Sequence, residues 1–259
     1  VISQYGESLL ERYSGMHINC QALDTDGFVT YFASHGVKLF VDASHPYAAN
    51  VSINAMESCQ RAKIPYIRYE RQQTPLDYAK AFYVENYQQA AAKAAELGEH
   101  IFLTTGSHNL ATFAKAPEMA NKHVICRVLP EPKIVAMAQE LGFTPGDIIA
   151  MQGPFSLELN KELFKKYQAQ VVVTKNSGNT GGTDTKFQAA IELDLPLVII
   201  DRPKVNYSQK AESFQQVLDF VKKELGRFMD FIKKPMEIEN RSMEIIAPHL
   251  QGLNLSEDQ

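Results

Sequence analysis

The chain has 259 residues, of which 45% are hydrophobic and 22% are charged, as is usual for a globular protein. Its formal net charge of -4 argues against a general nucleic-acid-binding protein, which would usually be basic. No stretch approaches the roughly 18 consecutive apolar residues of a membrane span, and the first residues do not resemble a secretory signal. We therefore expect a cytoplasmic protein that binds neither membranes nor nucleic acid. Cys20, Cys59 and Cys126 lack metal-ligand spacing and are predicted to be reduced core thiols.

Short apolar runs alternate with amphipathic segments along most of the chain. The first series predicts two strands, at 38–42 and 65–69, and two helices, at 48–63 and 87–97. The second series predicts five strands, each followed by a helix, at 100–104, 123–127, 147–151, 170–174 and 197–200. Continuous apolar strands between helices are typical of parallel sheets buried on both faces. The sequence predicts an α/β fold with two Rossmann-like domains, 1–96 and 97–226.

Four polar loops should lie together, because ligands of open parallel sheets bind beyond the carboxyl ends of the strands. These loops contain residues 44–47, 104–109, 152–156 and 175–184. The last is rich in glycine and flanked by Lys175 and Lys186, which favours anion binding over a plain surface turn. His45 could donate to an anion or move a proton, but a structural histidine is an equal alternative. Basic side chains near strand ends, including Arg68 and Arg127, would supply a local positive field.

Five ordered segments together resemble the precorrin-6A reductase family and its cobalt-precorrin counterpart. They are Val41 to Ala48, Leu103 to Ser107, Met151 to Ser156, Val173 to Gly178 with Gly181 and Gly182, and Pro196 to Pro203. The resemblance implies NADPH as cofactor and a polycarboxylate tetrapyrrole as substrate, with hydride transfer reducing one double bond of the precorrin-6A macrocycle to give precorrin-6B.

The resemblance also carries expectations for individual residues. His45 is expected to be catalytic, and no metal site is expected. The predicted cofactor-binding residues are Tyr5, Gly6, Ser44, His45, Thr105, Gly106 and Ser107. The predicted substrate-binding residues are Arg127, Gln152, Lys175, Ser177, Gly178, Gly181 and Lys186.

Two departures from the family pattern are expected. Residues 1–6 resemble the end of a second strand, so the family's first strand, its cofactor loop and its first helix would be missing. Residues 227–259 form an appended segment that resembles the opening helix of precorrin-8X methylmutase, which suggests fusion or association with that enzyme. An inactive fragment that still binds the tetrapyrrole is the main alternative. A phosphate-ligand sensor or transferase is a further alternative, resting only on the Gly/Thr turns.

Overall fold

The computed structural model describes residues 17–178 and 183–226, which divide between two compact units. The first unit contains the chain up to Arg71 and again from Val205, and the second contains Gln72–Lys204. The division therefore falls after Arg71 and not near residues 96–98, where the sequence had placed the domain boundary. The predicted boundary was too late because Ala81–Val84 pairs with a strand of the second unit rather than the first. The appended segment that the sequence predicts at 227–259 lies outside the described residues.

The first unit is a small parallel sheet with helices. Its elements are α1 (Thr25–Ser34), β1 (Phe40–Asp42), α2 (Ala49–Ala62), β2 (Tyr66–Tyr69), β9 (Lys210–Ala211) and α8 (Phe214–Leu225). Local sequence sets the ends of the helices: Asp24 accepts a hydrogen bond from Gly27 N at the start of α1, and Ser213 forms a capping box with Gln216 at the start of α8. The strand order is β1-β2-β9, so the chain completes this sheet only after it has returned from the second unit.

The second unit is a six-stranded parallel sheet. Its strands are β3 (Ala81–Val84), β4 (His100–Leu103), β5 (His123–Val128), β6 (Ile148–Ala150), β7 (Val171–Lys175) and β8 (Leu197–Ile200). Its helices are α3 (Tyr87–Leu97), α4 (Leu110–Lys115), α5 (Pro132–Glu140), α6 (Leu157–Lys166) and α7 (Thr183–Glu192), with short 3-10 turns at Pro117–Met119 and Pro145–Asp147. Phe102 and Phe164 meet edge to face with ring centroids 4.9 Å apart in a core that also includes Val172 and Leu197. Burial on both sides explains why these strands read as continuous apolar runs.

The strand order of the second unit is β3-β8-β7-β4-β5-β6. From β4 the chain builds outward through β5 to β6, and it then crosses back to place β7 on the other side of β4. The loops that follow β4 and β7 consequently lead away in opposite directions. Such a reversal leaves a crevice at the carboxyl ends of the two central strands, which is the usual ligand position in open α/β sheets.

The α/β class with parallel sheets is confirmed, and most predicted elements form within one or two residues of their expected bounds. The sequence did not predict α1, β3 or the two-residue β9. Cys59 and Cys126 are buried, as expected of core thiols, whereas Cys20 is exposed and its predicted place in the core is wrong. No helix within 17–178 and 183–226 combines the length and apolar character that crossing a bilayer requires.

Candidate functional site

The turns that follow β4 and β7 border the position at which the strand order predicts a ligand crevice. Thr104 donates through both its backbone N–H and its hydroxyl to the Val173 carbonyl, at 2.9 and 3.0 Å, which ties the two strand ends together. Beyond this point Gly106 has a φ of +78° and Gly178 a φ of +82°. Both values lie in the left-handed region that glycine adopts without strain, so each turn can leave its strand sharply.

Thr105 lies in the turn after β4 and is only 4% exposed. Its hydroxyl has no hydrogen-bond partner within the described ranges. A buried hydroxyl without a partner costs free energy, and such a group in a ligand crevice is a candidate ligand contact. Ser107, two residues later, is half-buried, and its carbonyl accepts from Leu110 N at the start of α4.

Arg127 lies near the end of β5 and is 7% exposed. Its Nη1 donates to Asn160 Oδ1 at 2.8 Å, and its guanidinium lies 4.0 Å from the centre of the Phe155 ring. Neither contact neutralises the charge, and burial lowers the pKa of Arg127 to about 10. The side chain is therefore held rigidly in place while its positive charge remains available to an anion.

Asn160 connects this arginine to helix α7. It is fully buried, and its amide nitrogen donates to the Ser156 carbonyl at 2.9 Å and contacts the Thr185 hydroxyl at 3.4 Å. Thr185 in turn donates to the Phe155 carbonyl at 3.0 Å. The first turn of α7, which also carries Lys186, is thus attached to the surroundings of Arg127 by side-chain hydrogen bonds.

Two lysines add their charges to that of Arg127. Lys175 is the last residue of β7, and burial lowers its pKa to about 8. Lys186 is 8% exposed, and burial, followed by the charges of Arg127 and Lys175, lowers its pKa to about 7. Asp184 opposes this shift, but its side chain is exposed. We call Arg127, Lys175 and Lys186 the cationic cluster; groups with perturbed pKa values of this kind are common at functional sites.

The loop between β7 and α7 is closed at its base. Ser177 N donates to the Thr183 hydroxyl at 3.2 Å, and both residues are buried. Asn176 is held separately, because its side-chain amide exchanges two hydrogen bonds with the Thr74 backbone, at 2.8 and 3.0 Å. Ser177 and Gly178 therefore occupy fixed positions at the carboxyl end of β7, next to Lys175.

A different polar network follows β1 in the first unit. The Asp42 carboxylate accepts hydrogen bonds from the Ser44 hydroxyl at 2.6 Å, from Arg68 Nη1 at 2.9 Å and from the Tyr66 hydroxyl at 2.8 Å. Arg68 Nη1 also contacts Ser44 Oγ at 2.8 Å, and Arg68 Nε donates to Glu70 at 3.0 Å. Arg68 was predicted to contribute to a positive edge, but it is fully buried and its charge is paired with two carboxylates.

His45 follows this network and is exposed. Its Nδ1 accepts a hydrogen bond from Tyr47 N at 3.3 Å, and the two rings lie 5.7 Å apart. Helix α2 begins just beyond, after Ala48, which gives it no side-chain cap in the described structure. Free N–H groups at a helix start attract anions, so Ser44, His45 and the start of α2 could hold a phosphate group.

The structure brings the predicted residues together in two separate sets. Ser44 and His45 belong to the first unit, and a second set belongs to the carboxyl edge of the other sheet: Thr105, Gly106, Ser107, Arg127, Gln152, Lys175, Ser177, Gly178 and Lys186. Gln152 is exposed in the loop after β6. Tyr5, Gly6 and Gly181 lie outside the described residues. Within those residues, no group of three or more His, Cys, Asp or Glu side chains is arranged to hold a metal ion.

Sequence reasoning missed Asn160 and Asp42. Asn160 lies four residues before Phe164, so both are on the same, buried face of α6. A polar residue on an apolar helix face was the available signal for Asn160. Asp42 carried a weaker signal, since an acidic residue at the end of a buried strand is also common where it only caps a turn.

The chain is similar in sequence and in structure to reductases of precorrin-6A and cobalt-precorrin-6A. The family model described as "Precorrin-6x reductase CbiJ/CobK" matches residues 1–222. The chain is 40% identical over 197 residues to a cobalt-precorrin-6A reductase of Priestia megaterium, covering 76% of this chain and 77% of the relative. It is 34% identical over 212 residues to a cobalt-precorrin-6A reductase of Methanothermobacter thermautotrophicus, covering 81% of this chain and 69% of the relative. Among solved structures, a CobK precorrin-6A reductase matches with a TM-score of 0.65 and 28% identity, covering 79% of this chain and 84% of that one.

Proposed function

Because the chain belongs to the precorrin-6x reductase CbiJ/CobK family, we propose that it catalyses the NADPH-dependent reduction of a precorrin-6A macrocycle to precorrin-6B. Both relatives named above are cobalt-precorrin-6A reductases, which favours the cobalt-containing form of the substrate. The observation that carries the proposal is the cationic cluster at the crevice of the second unit, because such a substrate carries many carboxylates.

The cationic cluster is proposed to bind one or more of these carboxylates. Arg127 is suited to bidentate contact with a carboxylate, and its contacts with Asn160 and Phe155 hold its plane in one orientation. Lys175 and Lys186 add point charges from the end of β7 and the first turn of α7. Thr105, Ser177 and Gly178 border the same crevice and are proposed to contact the substrate through hydroxyl or backbone groups. A net charge of -4 for the whole chain makes this local concentration of cations more significant.

The described part of the first unit fits a dinucleotide cofactor. Helix α2 begins without a side-chain cap beside Ser44 and His45, which leaves N–H groups for a phosphate. We propose that these residues hold NADPH, which supplies the hydride when bound. Asp42 and Arg68 fix the Ser44 hydroxyl and so keep the loop in one conformation.

His45 is proposed to handle the proton that accompanies the hydride. Its Nδ1 accepts from Tyr47 N, and the side chain lies in an exposed loop. A histidine can carry a proton near neutral pH, and transfer by a positioned acid contributes about 10²–10⁴-fold to a rate. The other residues of the loop orient the reactants and do not exchange protons in this scheme.

We propose two features of the protein's cellular setting. The first is a cytoplasmic location, which cell fractionation tests directly. The second is fusion or association with precorrin-8X methylmutase through residues 227–259; co-purification of the two activities would support it, and complete separation would contradict it.

A spectrophotometric assay tests the proposed function. The protein is mixed with cobalt-precorrin-6A and NADPH, and oxidation of NADPH is followed together with the change in the macrocycle spectrum. We expect turnover with NADPH, a weaker rate with NADH, and a large loss in Lys186→Met. Lys165→Met is the matched control, because Lys165 is exposed on α6 and pairs with Glu162. Binding of the macrocycle without oxidation of NADPH would instead support the tetrapyrrole-binding fragment.

A further inference from the structure

Two buried arginines of this protein have different surroundings. Arg68 in the first unit is fully buried, and it contacts the carboxylates of Asp42 and Glu70. Arg127 in the second unit is 7% exposed, and it contacts no carboxylate within the described ranges. Taking a charge out of water is costly unless an opposite charge compensates it. The surroundings of Arg127 therefore favour an anion that a ligand supplies.

The hydrogen bonding of Arg127 leaves one edge of its guanidinium for such an anion. Nη1 donates to Asn160 Oδ1 at 2.8 Å, whereas Nε and Nη2 donate to no group in the described part of the chain. The N–H groups of Nε and Nη2 run parallel along one edge of the planar group, which matches the two oxygens of a carboxylate. A carboxylate can therefore accept two hydrogen bonds from this edge while Nη1 remains bonded to Asn160.

The ring of Phe155 restricts the orientation of that guanidinium. Arg127 Cζ lies over the face of the ring, 4.0 Å from its centre, and Phe155 is itself half-buried. A contact this close limits how far the guanidinium can tilt or shift. Because the donors of a guanidinium lie in its plane, the ring and the hydrogen bond to Asn160 together determine where Nε and Nη2 point.

The position of the Phe155 ring depends on the absence of a side chain at Gly153. A Cβ at Gly153 would lie 3.0 Å from Cε2 and 3.2 Å from Cδ2 of the ring, so an alanine there would push the ring aside by a few tenths of an ångström. The backbone of Phe155 is held as well, since its carbonyl accepts a hydrogen bond from the Thr185 hydroxyl at 3.0 Å. Phe155 is thus fixed by the loop after β6 and by α7, and it holds Arg127 in turn.

We propose that Phe155 is a positioning residue that makes the Arg127 site selective for a substrate carboxylate over a carboxamide at the same place. A carboxylate accepts hydrogen bonds from both Nε and Nη2 and compensates the charge of the guanidinium. A carboxamide is neutral and offers one oxygen beside an NH₂ group that cannot accept. The proposal deepens the proposed function, and it rests on that function for the identity of the ligand that carries the carboxylate.

Calorimetric titration of the full chain with two corrins measures this selectivity. Cobyrinate carries carboxylates around the ring and cobinamide carries carboxamides, and both are used in the dicyano form so that the metal centre is the same. The parent protein should bind cobyrinate at least about tenfold more tightly than cobinamide. Phe155→Leu should weaken binding of cobyrinate by about tenfold, because the guanidinium is no longer held, and should change binding of cobinamide by less than about twofold.

Three further variants separate positioning from folding. Phe155→Tyr retains an aromatic ring and should keep the preference of the parent protein. Gly153→Ala retains Phe155 but displaces its ring, so it should reduce the preference for cobyrinate, and it tests the proposal even if Phe155→Leu does not fold. Phe82→Leu is the matched control, because Phe82 on the edge strand β3 also lies beside a cation, with Lys93 Nζ 5.8 Å from its ring centre.

Several results would overturn the proposal. Equal weakening of both corrins in Phe155→Leu would show that the ring contributes only to the shape of the site. Failure of cobyrinate to bind, equal affinity of the parent protein for both corrins, or an unchanged preference in Phe155→Leu and Gly153→Ala would also contradict it.

Turnover of cobalt-precorrin-6A with NADPH is assayed separately. Phe155→Leu should raise KM for the macrocycle and leave kcat nearly unchanged, because the carboxylate contact is made before and during the reaction. Turnover with a carboxylate preference that does not depend on Phe155 removes only this inference. A preference that depends on Phe155 without turnover removes only the reductase.

Discussion

Arg68 Nη1 donates to Asp42 Oδ1 at 2.9 Å, and the two side chains are among the most deeply buried in the first unit, with Arg68 0% and Asp42 3% exposed. The same carboxylate accepts from Ser44 and Tyr66, so both of its oxygens are occupied. Arg68 Nη2 is also buried, and it has no hydrogen-bond partner in the described chain. The pair connects the ends of β1 and β2 and fixes the loop that carries His45.

Replacing the arginine should destabilise the first unit strongly. Arg68→Met leaves the Asp42 carboxylate buried without its counter-charge, which typically costs about 3–5 kcal/mol. Urea unfolding followed by circular dichroism measures the loss. Arg61→Met is the control, because Arg61 in the same unit pairs with Asp26 and Glu57 at the surface. Equal midpoints for the two variants would contradict a stabilising role for the buried pair.

The same pair predicts how stability changes in acid. Burial would raise the pKa of the Asp42 carboxyl, but Arg68 and the hydrogen bonds from Ser44 hold that pKa below its ordinary value. The folded protein therefore binds this proton less readily than the unfolded chain. Its stabilising contribution is complete above the ordinary aspartate pKa of about 3.9 and is lost as the pH falls through the lowered value. Asp42→Asn should unfold with a shallower dependence on pH in this range; identical acid-unfolding profiles would refute the assignment.

Lys186 predicts a second rise of stability with pH, in a more alkaline range than that of Asp42. Its pKa in the folded protein is lowered to about 7 by burial and by neighbouring cations, whereas an unfolded lysine titrates at about 10.4. Between these values the unfolded chain binds more protons, so stability should rise with pH. Lys186→Met lacks this slope and should be more stable than the parent protein near neutrality, with the difference shrinking by about pH 10. Denaturant unfolding across this range measures the slope of stability against pH, with Lys165→Met as the control. Parallel curves of stability against pH for all three proteins would contradict the lowered pKa of Lys186.

Two variants of Asn160 compare the loss of a hydrogen-bond acceptor for Arg127 with the addition of a negative charge beside it. Asn160→Ala leaves Arg127 Nη1 buried without its acceptor and should cost about 1–3 kcal/mol. Asn160→Asp keeps an acceptor for the arginine but adds a negative charge beside it and gives up the amide donor to the Ser156 carbonyl. It should therefore weaken binding of the stable polycarboxylate corrin cobyrinate more than Asn160→Ala does. Denaturant unfolding measures the stability of both variants, and calorimetric titration measures their affinity for cobyrinate. Unchanged corrin affinity in Asn160→Asp would remove Arg127 from the proposed anion site.

His45→Ala should reduce turnover with little effect on stability, because the side chain is exposed. Loss of a proton-transferring group lowers kcat by about 10²–10⁴-fold, while KM for the macrocycle should change little. His35→Ala provides the comparison, since His35 is an exposed histidine at the end of α1 in the same unit. If His45→Ala retained the parent kcat, the proton would have to come from another group.

Local sequence determined most of the secondary structure in the described ranges and the residue types of the candidate sites. Apolar runs such as Val171–Lys175 predicted buried parallel strands. In the structure, the side chains of Asn86 and Ser213 satisfy free N–H groups at the starts of the helices that follow them. The polar loops at the strand ends were also visible, since glycine, serine and threonine interrupt the apolar pattern there. These features depend on neighbours in the chain, so they could be predicted without a structure.

Only the tertiary structure decided the strand order, the division into units and the state of each cation. Pairing of β3 with β8 and of β9 with β2 joins segments far apart in sequence, and no local pattern specifies such partners. Arg68 and Arg127 look alike in the sequence, as single arginines near strand ends. Arg68 is neutralised by Asp42 and Glu70, whereas Arg127 contacts a neutral amide and two aromatic rings. The difference arises because electrostatic energy depends on distance and burial in space, which strand pairing and helix packing set.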